Sequence, residues 1–484
     1  VAKTITIEPF TRVEGDLRIK VEIKDNIITD ARASGIMFRG FEKILRGHYP
    51  EDALVFTPRI CGICSISHSV AASSALAAVS EEFVPSSRGQ IAKSIVHATE
   101  TVMSHLTQFY IYFIPDLLNR RFENLKGYDS MLERFTPMKG TSVRRILEER
   151  KRFLEILGII VGKWPHTLAI HPGGITKSLN ASEIFRVRGV LRQFISVVEE
   201  LLLGMSTEEY LQISSVKDFE SLFLAENGNL SDLGLFFSFA REAGLMQMGK
   251  GSDRFISAEA YLQPDGTSFI SSGYWDGEVS ELEVEKITES IKFSFFNFRE
   301  ESISPFEDLS EPNRDKPDAY SWAKAPRYDG KVVEVGALAR QVINGDPLLR
   351  EFFHICGSTV FTRVFARLHE AVKLLNAMDS WIRYLDTSES YYSKNLLKSS
   401  AKGVGITEAA RGILSHWIVI EEGLIKNYQV ITPTAWNCSP RDEKGTPGAL
   451  EQALLGTPIK DENNPVEIGI IVRSYDPCLV CTVH

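Results

Sequence analysis

Leu17, Ile19, Val21 and Ile23 alternate with polar residues near the start of the chain, and a polar "KDN" separates them from "IITDARASG". Period-two alternation around a short polar turn predicts a β-hairpin. Farther on the spacing lengthens. Residues 65–82, "SISHSVAASSALAAVSEE", are rich in Ala and open on Ser65, a suitable helix N-cap. Helix-like apolar spacing then recurs over 90–120, 141–162, 182–213, 281–299 and 359–394, several of them long enough for a bundle of extended helices. Stretches 171–178, 261–278 and 311–331 are dense in turn formers and read as irregular connections. Residues 401–470 mix short apolar runs with Gly, Pro and Asn and are grouped with them. There is no internal repeat or low-complexity segment. The expected fold is mainly α with small β elements (α+β): a long-helix bundle core with an N-terminal β-hairpin, residues 1–484 forming one intertwined unit.

Composition adds exclusions. The 484 residues are 44% hydrophobic and 24% charged, ordinary for a globular protein. A net charge of −9 without a basic tract argues against nucleic-acid binding. No apolar run approaches the roughly 18 residues of a membrane-spanning helix. The N-terminal "VAKTITIEPFTRVEGDLRIKVEI" alternates like a strand and lacks the apolar core of a signal peptide. The expected location is cytoplasmic, or at a membrane through partners.

The candidate chemistry lies in the cysteines. Cys61 and Cys64 form one C-x-x-C pair, Cys478 and Cys481 a second; Cys356 and Cys438 lie outside both. Four thiolates suffice for one metal site. A four-cysteine zinc site usually has its pairs some tens of residues apart, whereas almost the whole chain separates these. A thioredoxin-like redox pair lacks its βαβ context here, and iron–sulfur ligands are usually grouped more locally. Spacing alone therefore points to a buried metal centre, zinc included.

The residues around the pairs narrow this. "RVEGDLRIKVEI", "TPRICGICSISHS", "HPGGIT", "SWAKAPRYDG", "VEVGALAR", "TEAARGILSHW", "ITPTAWNCSPRD" and "RSYDPCLVCTVH" occur in this order. The set resembles the large, catalytic subunit of nickel–iron hydrogenases, from about residue 5 to residue 484. The resemblance implies nickel held by all four thiolates, Cys61 and Cys478 terminal, with Cys64 and Cys481 bridging to an iron that carries CO and two cyanides. Soft thiolates suit a redox-active centre, which zinc cannot be. By motif position, Glu14 accepts a proton from Cys478, a step that needs a nearby carboxylate of matched pKa. By the same match Arg411 would point its guanidinium over the metals near the cyanides, although the family usually has Pro where this chain has Ala410. Asp116 and Asp476 are expected to flank that arginine, Pro433 and Thr434 to line the second cyanide, and His68 to hydrogen-bond Cys64. Glu42, the backbone carbonyl of Cys438 and His484 are expected to hold a magnesium or iron ion. The Cys356 and Cys438 thiols are assigned no role.

Once four thiolates are assigned, too few cysteines remain for an electron relay. The implied partners are H2, an iron–sulfur small subunit and further electron-transfer or signalling subunits, in an oligomer of heterodimers. The short chain and "CSISHS" resemble the cytoplasmic uptake or H2-sensing branches, and the NAD-linked soluble type is also compatible. Family precursors carry an extension removed after this histidine, so an end at His484 fits a mature chain or a sensor. Three competitors remain: a quinone-site subunit of the respiratory complex I type, which typically lacks the cysteine pairs; a slow H2 sensor; and a structural zinc protein.

Overall fold

The structure is a computed structural model describing residues 3–224, 231–299 and 301–484. Its N-terminal sheet has β2 (Leu17–Lys24) between β1 (Lys3–Ile7) and β3 (Ile27–Gly35), all antiparallel. Leu17, Ile19, Val21 and Ile23 all face the core, so the alternation does what its period requires. Asp25 and Asn26 make the two-residue turn with φ of 53° and 61°, the left-handed region that tight hairpins demand.

Helix α1 (Ser65–Ala78) begins directly after Cys64. Next come α2 (Ser87–Thr107), α3 (Thr141–Phe153) and α4 (Ala181–Val198). Ser86 caps α2 by accepting from the Gly89 N–H at 3.1 Å. The expected helix over 90–120 continues past Thr107 as a π turn, Gln108–Phe113, and a 3-10 turn, Ile114–Leu118. The region 182–213 likewise breaks into α4, a π turn and a short helix at Thr207–Tyr210.

The helix expected over 281–299 is absent. Ile287–Ser290 instead form β4, antiparallel to β5 (Ala325–Tyr328). Ile287, Glu289, Ser290 and Ile291 are all buried, and the β-branched Ile287, Thr288 and Ile291 favour the strand that pairs with β5. Helix α5 (Val360–Trp381) then crosses the core against α2, and its regular part ends well before residue 394.

The larger correction concerns 401–470. Its first half is a regular meander of β6 (Ala401–Ala409), β7 (Gly412–Glu421) and β8 (Leu424–Ile431). Residues Gly412–Ile420 are buried without interruption, so no polar alternation betrays the central strand. This sheet packs on α1 through small residues. A Cβ added at Gly405 would lie 2.1 Å from the Ala75 nitrogen, so only glycine permits that approach. Helix α6 (Pro433–Asn437) and helix α7 (Val466–Ser474) complete the frame, and α7 leads into the second cysteine pair.

Candidate metal centre

The two pairs, 417 residues apart, meet in one buried pocket. Cys61 Sγ is 3.6 Å from Cys478 Sγ, Cys64 Sγ is 3.1 Å from Cys481 Sγ, and Cys478 Sγ is 2.9 Å from Cys481 Sγ. All four sulfurs lie within 4.8 Å of one another. Tetrahedral bonds of about 2.3 Å give sulfur–sulfur edges of about 3.8 Å, so a small adjustment closes all four on one ion. The donor set is entirely soft sulfur, matching a thiolate-bound transition metal. The charge distribution agrees. Hydrogen bonding, first from Cys478, holds the Cys61 thiol well below the ordinary thiol range. Burial pushes Cys478 and Cys481 up. Crowded thiols cannot all ionise unaided, and a cation at their centre removes that conflict.

What pins the chain end is backbone pairing. The Glu14 N–H donates to the Pro477 carbonyl at 3.2 Å, and the Leu479 N–H donates to the Glu14 carbonyl at 2.6 Å. Gly15, at φ +83°, permits this: a Cβ there would sit 2.7 Å from the Val480 nitrogen. Arg39 adds a side-chain stitch, donating to the Ile60 carbonyl at 2.6 Å and to the Val480 carbonyl. One guanidinium thus ties the backbone before Cys61 to the backbone between Cys478 and Cys481. Nothing in the sequence around Arg39 signals this role.

Arg411 occupies the tip of the β6–β7 hairpin, whose two-residue loop is closed by the Ala409–Gly412 pair. Its Nε donates to the Asp476 carbonyl at 2.8 Å, and Nη2 donates to Asp476 Oδ1 at 3.1 Å. Burial works against the guanidinium charge, but Asp476 and the cysteine sulfurs outweigh it and raise its pKa further. Asp476 adopts φ 54°, a left-handed conformation that aspartate tolerates better than most residues. Glu14 is half-buried. Burial first, and then the negative charge of Cys61, raise its carboxyl pKa, partly offset by Arg411. Thr434 accepts the Cys478 N–H on its hydroxyl at 3.0 Å, beside Pro433 at the start of α6.

Two expectations are corrected here. Asp116 does not flank Arg411: its carboxylate pairs with Arg12 and, at 2.7 Å, with Arg473, because the 3-10 turn carries it toward the N-terminal segment. His68 touches Cys64 through its backbone N–H, which donates to the Cys64 carbonyl at 3.1 Å. Its ring Nδ1 instead faces His416 Nε2 at 3.1 Å, and His416 Nδ1 faces the Tyr428 hydroxyl at 2.8 Å. Burial pushes the His68 pKa down to about 3, so the ring is neutral.

Glu42 and His484 do meet. His484 Nε2 is 3.2 Å from Glu42 Oε1, while Nδ1 is 2.5 Å from the Cys481 carbonyl. A ring nitrogen bonded to a carbonyl leaves the other free for a cation, the usual arrangement of a metal-binding histidine. Lys324 lies 3.0 Å from Glu42 and 3.2 Å from Asp308. Burial alone would raise the Glu42 pKa, but Lys324 and His484 outweigh it and hold the carboxyl below its usual range. Glu42 and His484 hydrogen-bond each other, Lys324, Val430 and Cys481; among the described residues the Cys438 carbonyl is not a partner of either. The Cys438 thiol is buried in the main core, and Cys356 is half-buried at the end of a separate helix.

A family model described as nickel-dependent hydrogenase matches residues 39–119 and 144–484. The chain belongs to the nickel-dependent hydrogenase family. Both cysteine pairs, Arg411 and Glu42 fall within the hydrogenase match, whereas Glu14 precedes it. Among curated proteins, the chain is 31% identical to the periplasmic [NiFeSe] hydrogenase large subunit of Desulfomicrobium baculatum, over 99% of this chain and 94% of that one. It is 27% identical to the uptake hydrogenase large subunit of Bradyrhizobium diazoefficiens, over 100% and 95%. Among solved structures, the [NiFeSe] hydrogenase of Dm. baculatum superposes with TM-score 0.86 at 30% identity, each chain fully covered. That of Desulfovibrio vulgaris Hildenborough gives 0.86 at 28%, again with full coverage. These hydrogenase relatives include periplasmic and uptake enzymes, and no described helix of this chain is long and apolar enough to cross a membrane.

Proposed function

We infer that this chain is the catalytic large subunit of a nickel–iron hydrogenase, oxidising H2 to two protons and two electrons. The observation that carries the reading is the convergence of four buried sulfurs from opposite ends of the chain, with Arg411 and Glu14 beside them. Cys61 and Cys478 would be terminal nickel ligands, and Cys64 and Cys481 would bridge to an iron bearing CO and cyanide. Bound there, the metal pair supplies the redox change and the site at which H2 reacts.

The chain's own groups supply the rest. Glu14, held against the Cys478 backbone and raised in pKa, accepts the proton leaving the Cys478 thiol and passes it outward. Arg411, fixed by Asp476, presents a permanent charge and several N–H donors to anionic ligands. The Thr434 hydroxyl accepts from Cys478, so its own proton is free for a second anionic ligand beside Pro433. His68 holds the start of α1 against the His416 ring. Glu42 and His484, with the Cys438 carbonyl as a further donor, would hold a magnesium or iron ion that closes the C-terminal tail. Residues 1–484 are read as one catalytic unit. Electrons would leave through an iron–sulfur small subunit, and the complex is placed in the cytoplasm.

H2-dependent reduction of an artificial acceptor by the purified two-subunit complex tests this. The wild type should turn over and Cys478→Ser should lose activity by at least 100-fold; equal rates in both would refute the assignment.

A further inference from the structure

Each cysteine pair adjoins a helix end, and each end is finished by a buried charge from elsewhere. Helix α1 starts with Cys64 as its N-cap, but the Cys64 side chain makes no cap hydrogen bond, its sulfur being turned to Cys481. The two N–H groups that a capping side chain would satisfy belong to Ile66 and Ser67. Both donate to Glu100 on α2, at 2.8 and 2.9 Å. The Ser67 hydroxyl donates to the same carboxylate at 2.8 Å and Trp164 Nε1 at 3.0 Å. Glu100 is 1% exposed, and none of its four partners is a cation. Four donors with both oxygens accepting twice is the arrangement of an ionised carboxylate. Burial pushes its pKa up to about 7, with these hydrogen bonds opposing.

The second pair mirrors this. Helix α7 ends at Ser474, two residues before Asp476. Arg367 on α5 donates Nη1 to the Ser474 carbonyl at 2.6 Å and to the Arg363 carbonyl at 3.3 Å; its Nε has no partner among the described residues. It is 4% exposed, and both acceptors are uncharged. Burial lowers its pKa to about 10, with Asp476 opposing and Arg411 adding to the fall, so the guanidinium remains charged at neutral pH. An anion at a helix N-terminus and a cation at a C-terminus are each stabilised by the peptide dipoles there. That accounts for two buried charges that form no direct ion pair among the described residues.

We propose that Glu100 and Arg367 are positioning residues of the metal centre, one buried charge setting the α1 end that carries Cys64 and the other setting the α7 end that leads into Cys478. Cys64 cannot cap its own helix because its sulfur faces the other thiols, so the cap comes from α2. Asp476 is taken up by Arg411, so the carbonyl at the end of α7 is held from α5. The two charges have opposite sign, and each acts on the backbone that leads to one of the two cysteine pairs.

The inference rests on the reading of those sulfurs as the nickel centre. The test uses the purified two-subunit complex at pH 8, measuring nickel per chain, melting temperature and the nickel midpoint potential by redox titration followed by electron paramagnetic resonance. Removing a nearby negative charge favours the reduced state, and removing a positive one disfavours it. Glu100→Gln should therefore shift the potential upward, and Arg367→Gln should shift it downward. Unmoved potentials, or shifts of the same sign, would overturn the proposal even if both variants melted earlier. Should a glutamine variant not fold, Glu100→Asp and Arg367→Lys decide, since they keep the charge but change its reach. Reduced nickel content at unchanged melting temperature supports the proposal, and full nickel content overturns it. A wild-type complex without nickel would strike the hydrogenase reading instead, and is distinguished by the first of these measurements.

Discussion

Glu14 joins two demands that conflict in water. Its backbone must hold the C-terminal tail, and its carboxyl must accept a proton near neutral pH. Burial and the Cys61 charge raise its pKa toward that range, with Arg411 limiting the rise. Glu14→Gln keeps the backbone pairing and removes the acceptor. Turnover should fall by about 10²–10⁴, the usual worth of general acid–base catalysis, with nickel content unchanged; an active variant, or one without nickel, would contradict the role. At this scale the sequence was partly readable. The four cysteines announced themselves by spacing, and the structure brings Glu14, Arg411 and His484, each singled out by its motif, close to the pairs. Asp116 was misjudged because its sequence neighbours do not reveal that Arg12 and Arg473 compete for it. Arg39 and Glu100 gave no local signal, since their partners are backbone groups far along the chain. Arg367 gave none either, since its helix carries several other charged residues.

Among the elements, the junction of Gly15 with the tail is the most sensitive. Gly15→Ala forces a Cβ to 2.7 Å from the Val480 nitrogen at a φ that side chains resist. The strain, on the order of 1–3 kcal/mol, would loosen the strand-like pairing that presents Cys478. The expected outcome is a lower melting temperature together with a lower nickel content, measured on the same preparation; a variant matching wild type in both would show that the tail is held by the metals alone. The helices α1 to α5 were legible because their apolar spacing is periodic. The β6–β8 meander was not, because a fully buried central strand shows no alternation, and glycines that read as breakers are there to let the sheet approach α1. This omission mattered, since the hairpin that it hid is what carries Arg411 to the sulfurs. The segment at 281–299 failed for the opposite reason: a helical spacing was present, but β-branched residues and the partner strand at Ala325–Tyr328 took precedence.

Across the whole molecule, the metal clamp lies within a web of buried carboxylates that join distant segments. Glu451 accepts from the Ala33 N–H at 3.0 Å, the Tyr320 hydroxyl at 2.8 Å and the Gly448 N–H at 3.3 Å. Burial pushes its pKa up to about 7, from 4.5, against these donors. The folded state therefore holds a proton that the unfolded chain releases, and the stability this group contributes is largest below about 4.5 and is lost as pH rises through 7. The difference in melting temperature between wild type and Glu451→Gln should accordingly move against the wild type between pH 5 and 8; a constant difference would rule this out. The largest claim is that the two ends of the chain close on a nickel–iron pair. Metal analysis combined with infrared spectroscopy of the purified complex tests it most directly. The account predicts nickel near one per chain with CO and cyanide stretching bands in active protein, whereas stoichiometric zinc without nickel, or active protein without those bands, would contradict it.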